Sequence, residues 1–559
     1  MGIATTREPD RVTASLGLLQ EAGPIFHHAN NVCAAGVLFL VPALLSQGLL
    51  KAEDIYGRLR KGYYGLVSVL LVLAFMFLSR IKCPEQLKTC KVGELGKLLG
   101  LDRVPEAKCL RSKIEQIVSQ GKAALFNQAL SSEWIARENP AFFYIDGHVR
   151  VYHGYQANLP RRYVSREKLC LAGTTEFWVN NAEGMPYLVV TSELNEKLKD
   201  VILKQIIPAL LRDGAPVSQE PLERDKDMAR FTIVFDREAY DMPFFKYLWD
   251  TYCIAVLTYR KAVKDEWPTA DFQDSNAEVI GKLVTMKLCE KPLQRDGLVL
   301  REIRRLSENG HQTSIITTNR KVNTAGLAGN MFSRWSQENF FRYMVQDFDL
   351  DKLVQYGVQE VNPEELVVNP SHRTLTYKIK KSREKTARLK AKMFAKIEND
   401  FDTDIDTVKE ILLQQSHLQE MIMDGEAEIR RMCEERTKTP SHIQVKNMPQ
   451  TYRYNKLKTE SKLFMNTIRM IAYRAETAMT NLLTPHYAKA AEEIRMLVKE
   501  IIKSDADMIP DYEAKTLSIR LHSLSTPRAN LAAKELCTIL NDTRTIYPAT
   551  ELRLIYETV

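Results

Sequence analysis

The sequence has few cysteines for its length, and none of them forms a recognisable motif. Nine cysteines are scattered through 559 residues, with no Cys-x-x-Cys pair and no nearby cysteine–histidine quartet. This spacing argues against structural zinc and against a disulfide scaffold, and it favours a reducing compartment. The first residues, MGIATTREPDRV, also lack the pattern of a secretory signal. We therefore expect a cytoplasmic protein.

Apolar runs long enough to cross a membrane are scarce as well. Residues 29–50 and 63–79 carry no charge, but a helix that spans ~30 Å of hydrocarbon takes about 20 apolar residues. The second run is slightly short, and the first is diluted by asparagine, proline, glutamine and glycine. The pattern favours two buried helices in an N-terminal helical domain over a membrane hairpin, so no membrane partner is expected.

Three acidic residues stand out among what is present. Asp146 ends the apolar run of FFYIDGH, Asp236 ends that of FTIVFDREAY, and Glu338 lies in the helical run RWSQENFFRYM. A carboxylate that emerges from a buried strand is costly unless it is compensated, although a single aspartate there also serves as a turn cap. Together they supply the hard oxygen ligands that Mg²⁺ prefers, and two such ions catalyse phosphoryl transfer. We predict a catalytic, metal-binding site made of Asp146, Asp236 and Glu338.

The order of elements divides the chain into four regions. Residues 1–135 read as helical, and residues 136–350 run as three strands, helix, strand, helix and strand, which is the order of the RNase H fold. A β-rich insertion at about 262–325 separates Asp236 from Glu338. Residues 351–510 form a basic, mainly helical region, and 511–559 a small α/β cap. The predicted class is α/β, with a mixed sheet flanked by helices.

Two basic segments predict DNA contacts. In the first, a helix over 92–99, a break at Gly100 and Asp102, and a second helix after Pro105 resemble a helix-turn-helix. Lys108, Arg111 and Lys113 would lie along its second helix, although an ordinary helical hairpin has the same pattern.

The second basic segment, residues 373–396, carries lysine or arginine at ten positions and one acid, Glu384. Lys380, Lys381 and Arg383 lie at its centre. Because nearly all charged residues of this segment are positive, the segment favours contact with DNA phosphates. A solvated helix face is the alternative.

These residues resemble the DDE transposases of bacterial insertion sequences, and among them the group with a β insertion before the glutamate. The signature of that group is Tyr, two residues, Arg, three residues, Glu, six residues, Lys. Arg334 and Glu338 match it, whereas Met331 and Val345 stand at the Tyr and Lys positions. The resemblance covers residues 30–350 well and the C-terminal region less specifically.

The resemblance implies further roles and partners. Arg334 would contact a DNA phosphate, Arg342 would take the place of the missing Lys, and Trp267 in the insertion would stack on a flipped base, with a core tryptophan as the alternative. It also implies two Mg²⁺ or Mn²⁺ ions, the transposon's inverted-repeat ends and target DNA as partners, a homodimer, and a location at the bacterial nucleoid.

The predicted function is therefore a DNA transposase that cuts at inverted-repeat ends and transfers the strands to target DNA. Two alternatives remain open at this point: a catalytically inactive, DNA-binding derivative, and a nuclease of the same fold without strand transfer. The presence of all three acids disfavours the first, and the long terminal regions disfavour the second.

Overall fold

A computed structural model gives the architecture of the chain. It describes residues 7–152, 159, 161–164, 168–193, 196–212, 217–351, 358–361, 363–364, 366–397, 405–450, 455–487 and 491–559. The chain divides into two compact units. The first comprises Met1–His153, Pro160–Tyr356 and Lys458–Val559, and the second comprises Gly154–Leu159 and Gly357–Leu457.

The N-terminal part of the first unit is mainly helical. Its elements are α1 (Glu8–Ser15), β1 (Ala29–Val32), α2 (Val41–Ser46), α3 (Lys51–Tyr56), α4 (Leu66–Leu78), α5 (Val92–Lys97), α6 (Ala107–Val118) and α7 (Ala123–Glu138). The apolar run at 63–79 becomes α4, which is buried along nearly its whole length. In the part of the chain that the structure describes, no helix combines the length and apolarity needed to cross a membrane.

A mixed sheet of ten strands forms the centre of this unit. Its strands are β2 (Phe142–Val151), β3 (Arg161–Val164), β4 (Leu169–Asn180), β5 (Pro186–Glu193), β6 (Phe231–Val234), β7 (Ile254–Tyr259), β8 (Gln273–Val279), β9 (Lys282–Arg295), β10 (Leu298–Leu306) and β11 (Gln312–Thr317). The order is β3-β4-β2-β6-β7-β11-β10-β9-β8, with β5 also paired to β4. β2 is antiparallel to β4 and parallel to β6, which is parallel to β7.

Six helices belong to this sheet region. They are α8 (Leu198–Val201), α9 (Ile207–Arg212), α10 (Gln219–Arg224), α11 (Met242–Tyr252), α12 (Thr324–Ser333) and α13 (Trp335–Phe348), with a π-helical segment, Ile202–Ile206, between α8 and α9. The β-rich insertion lies between α11 and α12. Its strand β11 pairs antiparallel with β7, so the insertion continues the central sheet and does not form a separate layer.

Helix α12 packs against one face of this extended sheet. Leu327, Ala328 and Met331 share one core with Tyr144 of β2 and Ile303 of β10. The helix therefore touches both the strands that carry the predicted acids and the strands of the insertion. Because α12 runs directly into α13, this packing fixes where Glu338 lies over the sheet.

The closest approach of α12 to the insertion occurs at Gly329. A Cβ atom at this position would lie 2.3 Å from the carbonyl oxygen of Glu278 in β8. We expect Gly329→Ala to lower the free energy of unfolding by about 1–3 kcal/mol, because backbone must shift to admit the methyl group. Chemical unfolding measures the change. Gly23→Ala is the matched control, since a Cβ atom at Gly23 would have no heavy atom within 4 Å; equal stability of the two variants would contradict the packing.

The second unit contains a long helical hairpin and two small sheets. Its elements are β12 (Val358–Glu360), β13 (Leu366–Val368), α14 (Pro370–Ile397), α15 (Ile405–Lys438), β14 (His442–Gln444) and β15 (Asn455–Leu457). β12 pairs with β15 and β13 with β14. Ile379 of α14 and Ile422 of α15 are both buried. Gly425 of α15 allows close contact with Thr386 of α14.

The C-terminal elements return to the first unit. They are α16 (Glu460–Leu483), α17 (Ala491–Lys503), β16 (Ala506–Asp511), β17 (Thr516–Leu521), α18 (Pro527–Asp542) and β18 (Arg553–Thr558). A four-stranded sheet has the order β1-β16-β17-β18, so the two ends of the chain share one sheet. The expected domain boundaries at 135/136 and 510/511 both fall inside the first unit. Helix α16 belongs to the core of the first unit, whereas the sequence analysis assigns this helix to a separate basic region.

Candidate active site

Asp146 and Asp236 lie at the same level of two adjacent parallel strands. Tyr144 of β2 is paired with Val234 of β6, and each aspartate follows its paired residue by two positions. Because side chains alternate along a strand, residues two apart point to the same face. Neighbouring strands are about 4.8 Å apart. The register therefore places both carboxylates side by side on the face that α12 covers.

Glu338 faces this pair from the first turn of α13. Arg334, which lies at the junction of α12 and α13, contacts two of the three acids. Its Nη2 donates to Glu338 Oε1 at 3.0 Å, and its Nη1 lies 3.6 Å from Asp146 Oδ2. The guanidinium is thus a cation between a strand carboxylate and the helix carboxylate.

Gln337 holds the first turn of α13 against the sheet. Its fully buried side chain donates from Nε2 to the carbonyl oxygen of Tyr144 at 2.8 Å. On the other side, Gly184 in the β4–β5 turn has a φ of +85°, and a Cβ there would lie 3.1 Å from the carbonyl oxygen of Ser336. The Gln337 hydrogen bond and the close packing of Gly184 on Ser336 hold the first turn of α13, and with it Glu338, against the sheet.

The electrostatics show that the acids share one environment. Burial, together with the charges of Asp236 and Glu338, raises the pKa of Asp146 to about 6, although Arg334 and a hydrogen bond from the Gly147 backbone oppose the rise. Burial lowers the pKa of Arg334, but the nearby carboxylates of Asp146, Asp236 and Glu338 more than offset it and raise the pKa overall. The three predicted acids therefore act on one another and on one arginine.

Asp236 also makes the contact expected of a turn cap. Its Oδ1 accepts a hydrogen bond of 2.7 Å from the backbone nitrogen of Arg237, and it caps the short 3₁₀ turn Arg237–Ala239. The cap uses one carboxylate oxygen and holds the side chain at the strand end. Both interpretations of this aspartate, as a cap and as part of an acidic cluster, hold at once.

A ready-made metal centre is not present among the described residues. No three acidic, histidine or cysteine side chains in that part of the chain approach closely enough to hold a metal ion. The guanidinium of Arg334 lies between Asp146 and Glu338 and supplies a positive charge there. The donor set consists of carboxylates alone, which suits Mg²⁺ or Mn²⁺ and disfavours zinc.

Two residues of this site were not found from the sequence. Gln337 is one, because an isolated glutamine in a helical run carries no signal of its own. The other is Tyr259, the last residue of β7, whose phenol lies within interaction range of Arg334, Asp236 and Glu338. Its position could be predicted only from the pairing of β6 with β7, which the sequence does not reveal.

The predicted helix-turn-helix residues differ in their exposure. Lys108 and Arg111 are exposed on α6, and Arg111 pairs with Glu85. Lys113 does not lie on the exposed face: its side chain is 7% exposed, and Nζ donates to the carbonyl oxygen of Arg60 at 3.3 Å. The prediction that Lys113 contacts DNA is therefore corrected, because helical spacing turns this lysine toward the core.

The remaining predicted residues lie outside the acidic cluster. Arg342 is exposed one turn beyond Glu338 and donates to Asn339. The ring of Trp267 has the guanidinium carbon of Arg304 at 4.1 Å and Nζ of Lys291 at 4.8 Å from its centroid. His148, two residues after Asp146, stacks on Phe341 and bonds to Asp351, so it is held in structural contacts.

The basic segment of the second unit forms one exposed helix. Lys380, Lys381 and Arg383 are all exposed on α14. Lys381 pairs with Glu384 at 3.1 Å, and Lys380 approaches the same acid at 4.0 Å. One glutamate thus neutralises only part of the positive charge of this face.

Comparison with known proteins identifies the family of the chain. A search of curated proteins gave no match. Among solved structures, one match is the piggyBac transposase synaptic complex with hairpin DNA, at 12% sequence identity and a TM-score of 0.27. It covers 57% of this chain and 66% of the piggyBac chain. The family described as "Transposase protein" matches residues 2–559, and the chain therefore belongs to this transposase family.

Proposed function

We propose that the chain is a DDE-type DNA transposase that cuts DNA at the inverted-repeat ends of its own element and transfers the strands to target DNA. The observation that carries the proposal is the shared level of Asp146 and Asp236 on adjacent parallel strands, with Glu338 facing them and Arg334 between. Carboxylates brought together from two strands and one helix are the ligand set for two-metal phosphoryl transfer.

The order of the strands supports an RNase H-like core. In the order β5-β4-β2-β6-β7, the pairs β5–β4 and β4–β2 are antiparallel. The pairs β2–β6 and β6–β7 are parallel. Asp146 lies on the central strand β2, and Asp236 lies two residues beyond the end of its parallel neighbour β6. The extension of the sheet by β8–β11 is the insertion that the sequence predicts before Glu338.

Carboxylates are the ligands that divalent metal ions of the Mg²⁺ type prefer. When bound, two such ions would stabilise the attacking and the leaving oxygen of the phosphodiester. Asp146, Asp236 and Glu338 would hold these ions. Arg334 must then release Asp146, and a DNA phosphate is the anion that would take the guanidinium, because arginine binds phosphate through two parallel hydrogen bonds.

Several exposed residues would bind the DNA outside the acidic cluster. Arg342 lies on the same helix as Glu338, and Lys108 and Arg111 are exposed on α6. Trp267 would stack on a displaced base, and a second copy of the chain would hold the other end of the element. These roles rest on the resemblance to insertion-sequence transposases, which also supports a location at the bacterial nucleoid.

The exposed lysines of α14 give a prediction for DNA affinity. We expect the triple change Lys380→Gln, Lys381→Gln and Arg383→Gln to flatten the slope of log Kd against log salt by up to about 2.7, because each phosphate contact contributes about 0.9. Titration of labelled duplex DNA at several salt concentrations measures the slope.

A second triple variant serves as the control. Lys503, Lys515 and Lys534 are exposed lysines of the first unit, and changing all three to glutamine removes the same charge. We expect its slope to match that of the wild type. If both triple variants flatten the slope equally, net charge rather than α14 determines DNA binding.

The function itself is tested with the DNA that flanks the gene. Purified protein and Mg²⁺ are incubated with a linear fragment that carries the gene and both flanks. We expect cuts at two positions bounded by inverted repeats, followed by joining to a supercoiled target plasmid. Cuts without joining would favour a nuclease, and binding without cuts would favour an inactive derivative.

A further inference from the structure

Asp146 and Asp236 lie side by side in a row that runs across neighbouring strands. This row continues onto a third strand, β7. Val234 of β6 is paired with Leu257 of the parallel strand β7. Tyr259 follows Leu257 by two positions, as Asp146 follows Tyr144 and as Asp236 follows Val234. Asp146, Asp236 and Tyr259 therefore stand in one row across three adjacent strands, on the face covered by α12.

The side chain of Tyr259 is directed into this site. It is half-buried and packs on the core beneath α12. Its phenol interacts with the Arg334 guanidinium and with the charges of Asp236 and Glu338. Arg237, next to Asp236, lies over its ring, with the guanidinium carbon 5.7 Å from the centroid. The hydroxyl thus lies at the acidic cluster although Tyr259 comes from the strand that leads into the insertion.

One donor of Arg334, its Nε, is left unpaired by the residues that the structure describes. This nitrogen is buried, while Nη2 bonds to Glu338. A buried donor without an acceptor is unfavourable. The site therefore offers an unused N–H of Arg334 beside the hydroxyl of Tyr259, and both groups can donate to an anion.

We infer that Tyr259 and Arg334 together bind the DNA phosphate that is to be cut. The phenol donates one hydrogen bond to a non-bridging oxygen of that phosphate, and the guanidinium donates to the same group. An ordinary phenol has a pKa of about 10, so the hydroxyl carries its proton at neutral pH and can donate it. This inference rests on the proposed function and adds the residue that places the phosphate against the three acids.

The test replaces only the hydroxyl. We expect Tyr259→Phe, in the full chain with Mg²⁺ and duplex DNA of the element's end, to lower the single-turnover rate of cleavage about 10- to 100-fold, as for a lost hydrogen bond to a charged group. The Kd for the same DNA should change less than about twofold, because many other contacts hold the duplex. Tyr247→Phe, at an exposed tyrosine of α11, is the matched control and should cleave at the wild-type rate.

A double-mutant cycle separates a shared phosphate from a structural effect. If Tyr259 and Arg334 bind one phosphate, the loss in Tyr259→Phe/Arg334→Gln is smaller than the product of the two single losses. The inference would be overturned if the loss of cleavage rate in the double variant equals the product of the two single losses. It would also be overturned if Tyr259→Phe cleaves within about twofold of the wild-type rate. Wild type and Asp146→Asn are assayed alongside. Absence of cleavage by the wild type would reject the proposed function, whereas cleavage that depends on Asp146 but not on Tyr259 would reject only this inference.

Discussion

Asp146→Asn is expected to lower the rate of DNA cleavage on the order of 10³-fold or more, with binding of the element's end nearly unchanged. Asp146 is the carboxylate nearest the centre of the site, on β2 with Asp236 beside it and Arg334 facing it. Converting the carboxylate to an amide would remove a charged ligand of the proposed metal ions but keep the side-chain volume, and metal ions contribute several kcal/mol to such transition states. Single-turnover cleavage and a gel-shift titration measure the two quantities.

The other two acids should behave in the same way. Asp236→Asn and Glu338→Gln are expected to lose cleavage to a comparable extent, because each would help to hold the metal ions. Asp274→Asn is the control, since Asp274 is exposed on β8 in the insertion. Wild-type cleavage by any of the three site variants would remove that residue from the site.

Arg334→Gln is expected to change cleavage and metal binding in opposite directions. Cleavage should fall about 10²- to 10³-fold, as when a donor to the reacting group is lost. Without DNA, however, affinity for Mn²⁺ should rise, because the guanidinium no longer lies between Asp146 and Glu338. Electron paramagnetic resonance of free Mn²⁺ measures this binding in the DNA-free protein.

Arg224→Gln is the matched control for Arg334→Gln. Arg224→Gln removes an exposed arginine of α10 that pairs with Glu220, and it should leave Mn²⁺ affinity unchanged. If Arg334→Gln binds Mn²⁺ no better than the wild type, the arginine does not compete with a metal ion for these carboxylates.

The local parts of the site could be predicted from the sequence, because they depend on short patterns. The apolar runs before Asp146 and Asp236 form β2 and β6, and the helical run around Glu338 forms α13. The four-residue spacing of Arg334 and Glu338 also produces the contact that helical geometry implies. In each case a few adjacent residues determine both the element and the direction of the side chain.

The non-local parts could not be predicted in the same way. Tyr259 joins the row only through the pairing of β6 with β7, and the insertion joins the sheet only through β7 and β11. Strand β1 pairs with β16 from the other end of the chain. No periodicity reports such contacts, since they depend on which distant surfaces bury each other.

Met331 and Val345 depart from the signature of the insertion-sequence transposases that the chain resembles, and the structure explains part of this difference. Met331 is fully buried in the core under α12, so it does not present a side chain to the acidic site. Val345 is packed against the core at the far end of α13. Tyr259 brings a phenol to the site from strand β7 rather than from α12, and Arg342 is the exposed cation nearest in sequence after Glu338.

Iron-directed cleavage of the polypeptide tests the central claim most directly. Fe²⁺ would take the place of Mg²⁺, and with ascorbate and peroxide it generates radicals that cut the chain near the ion. We expect cuts in three separate segments, around Asp146, Asp236 and Glu338, in the presence of end DNA. Excess Mg²⁺ should suppress these cuts, and Asp146→Asn should weaken all three. Cuts elsewhere, or cuts that neither Mg²⁺ nor Asp146→Asn affects, would contradict a metal site formed by these acids.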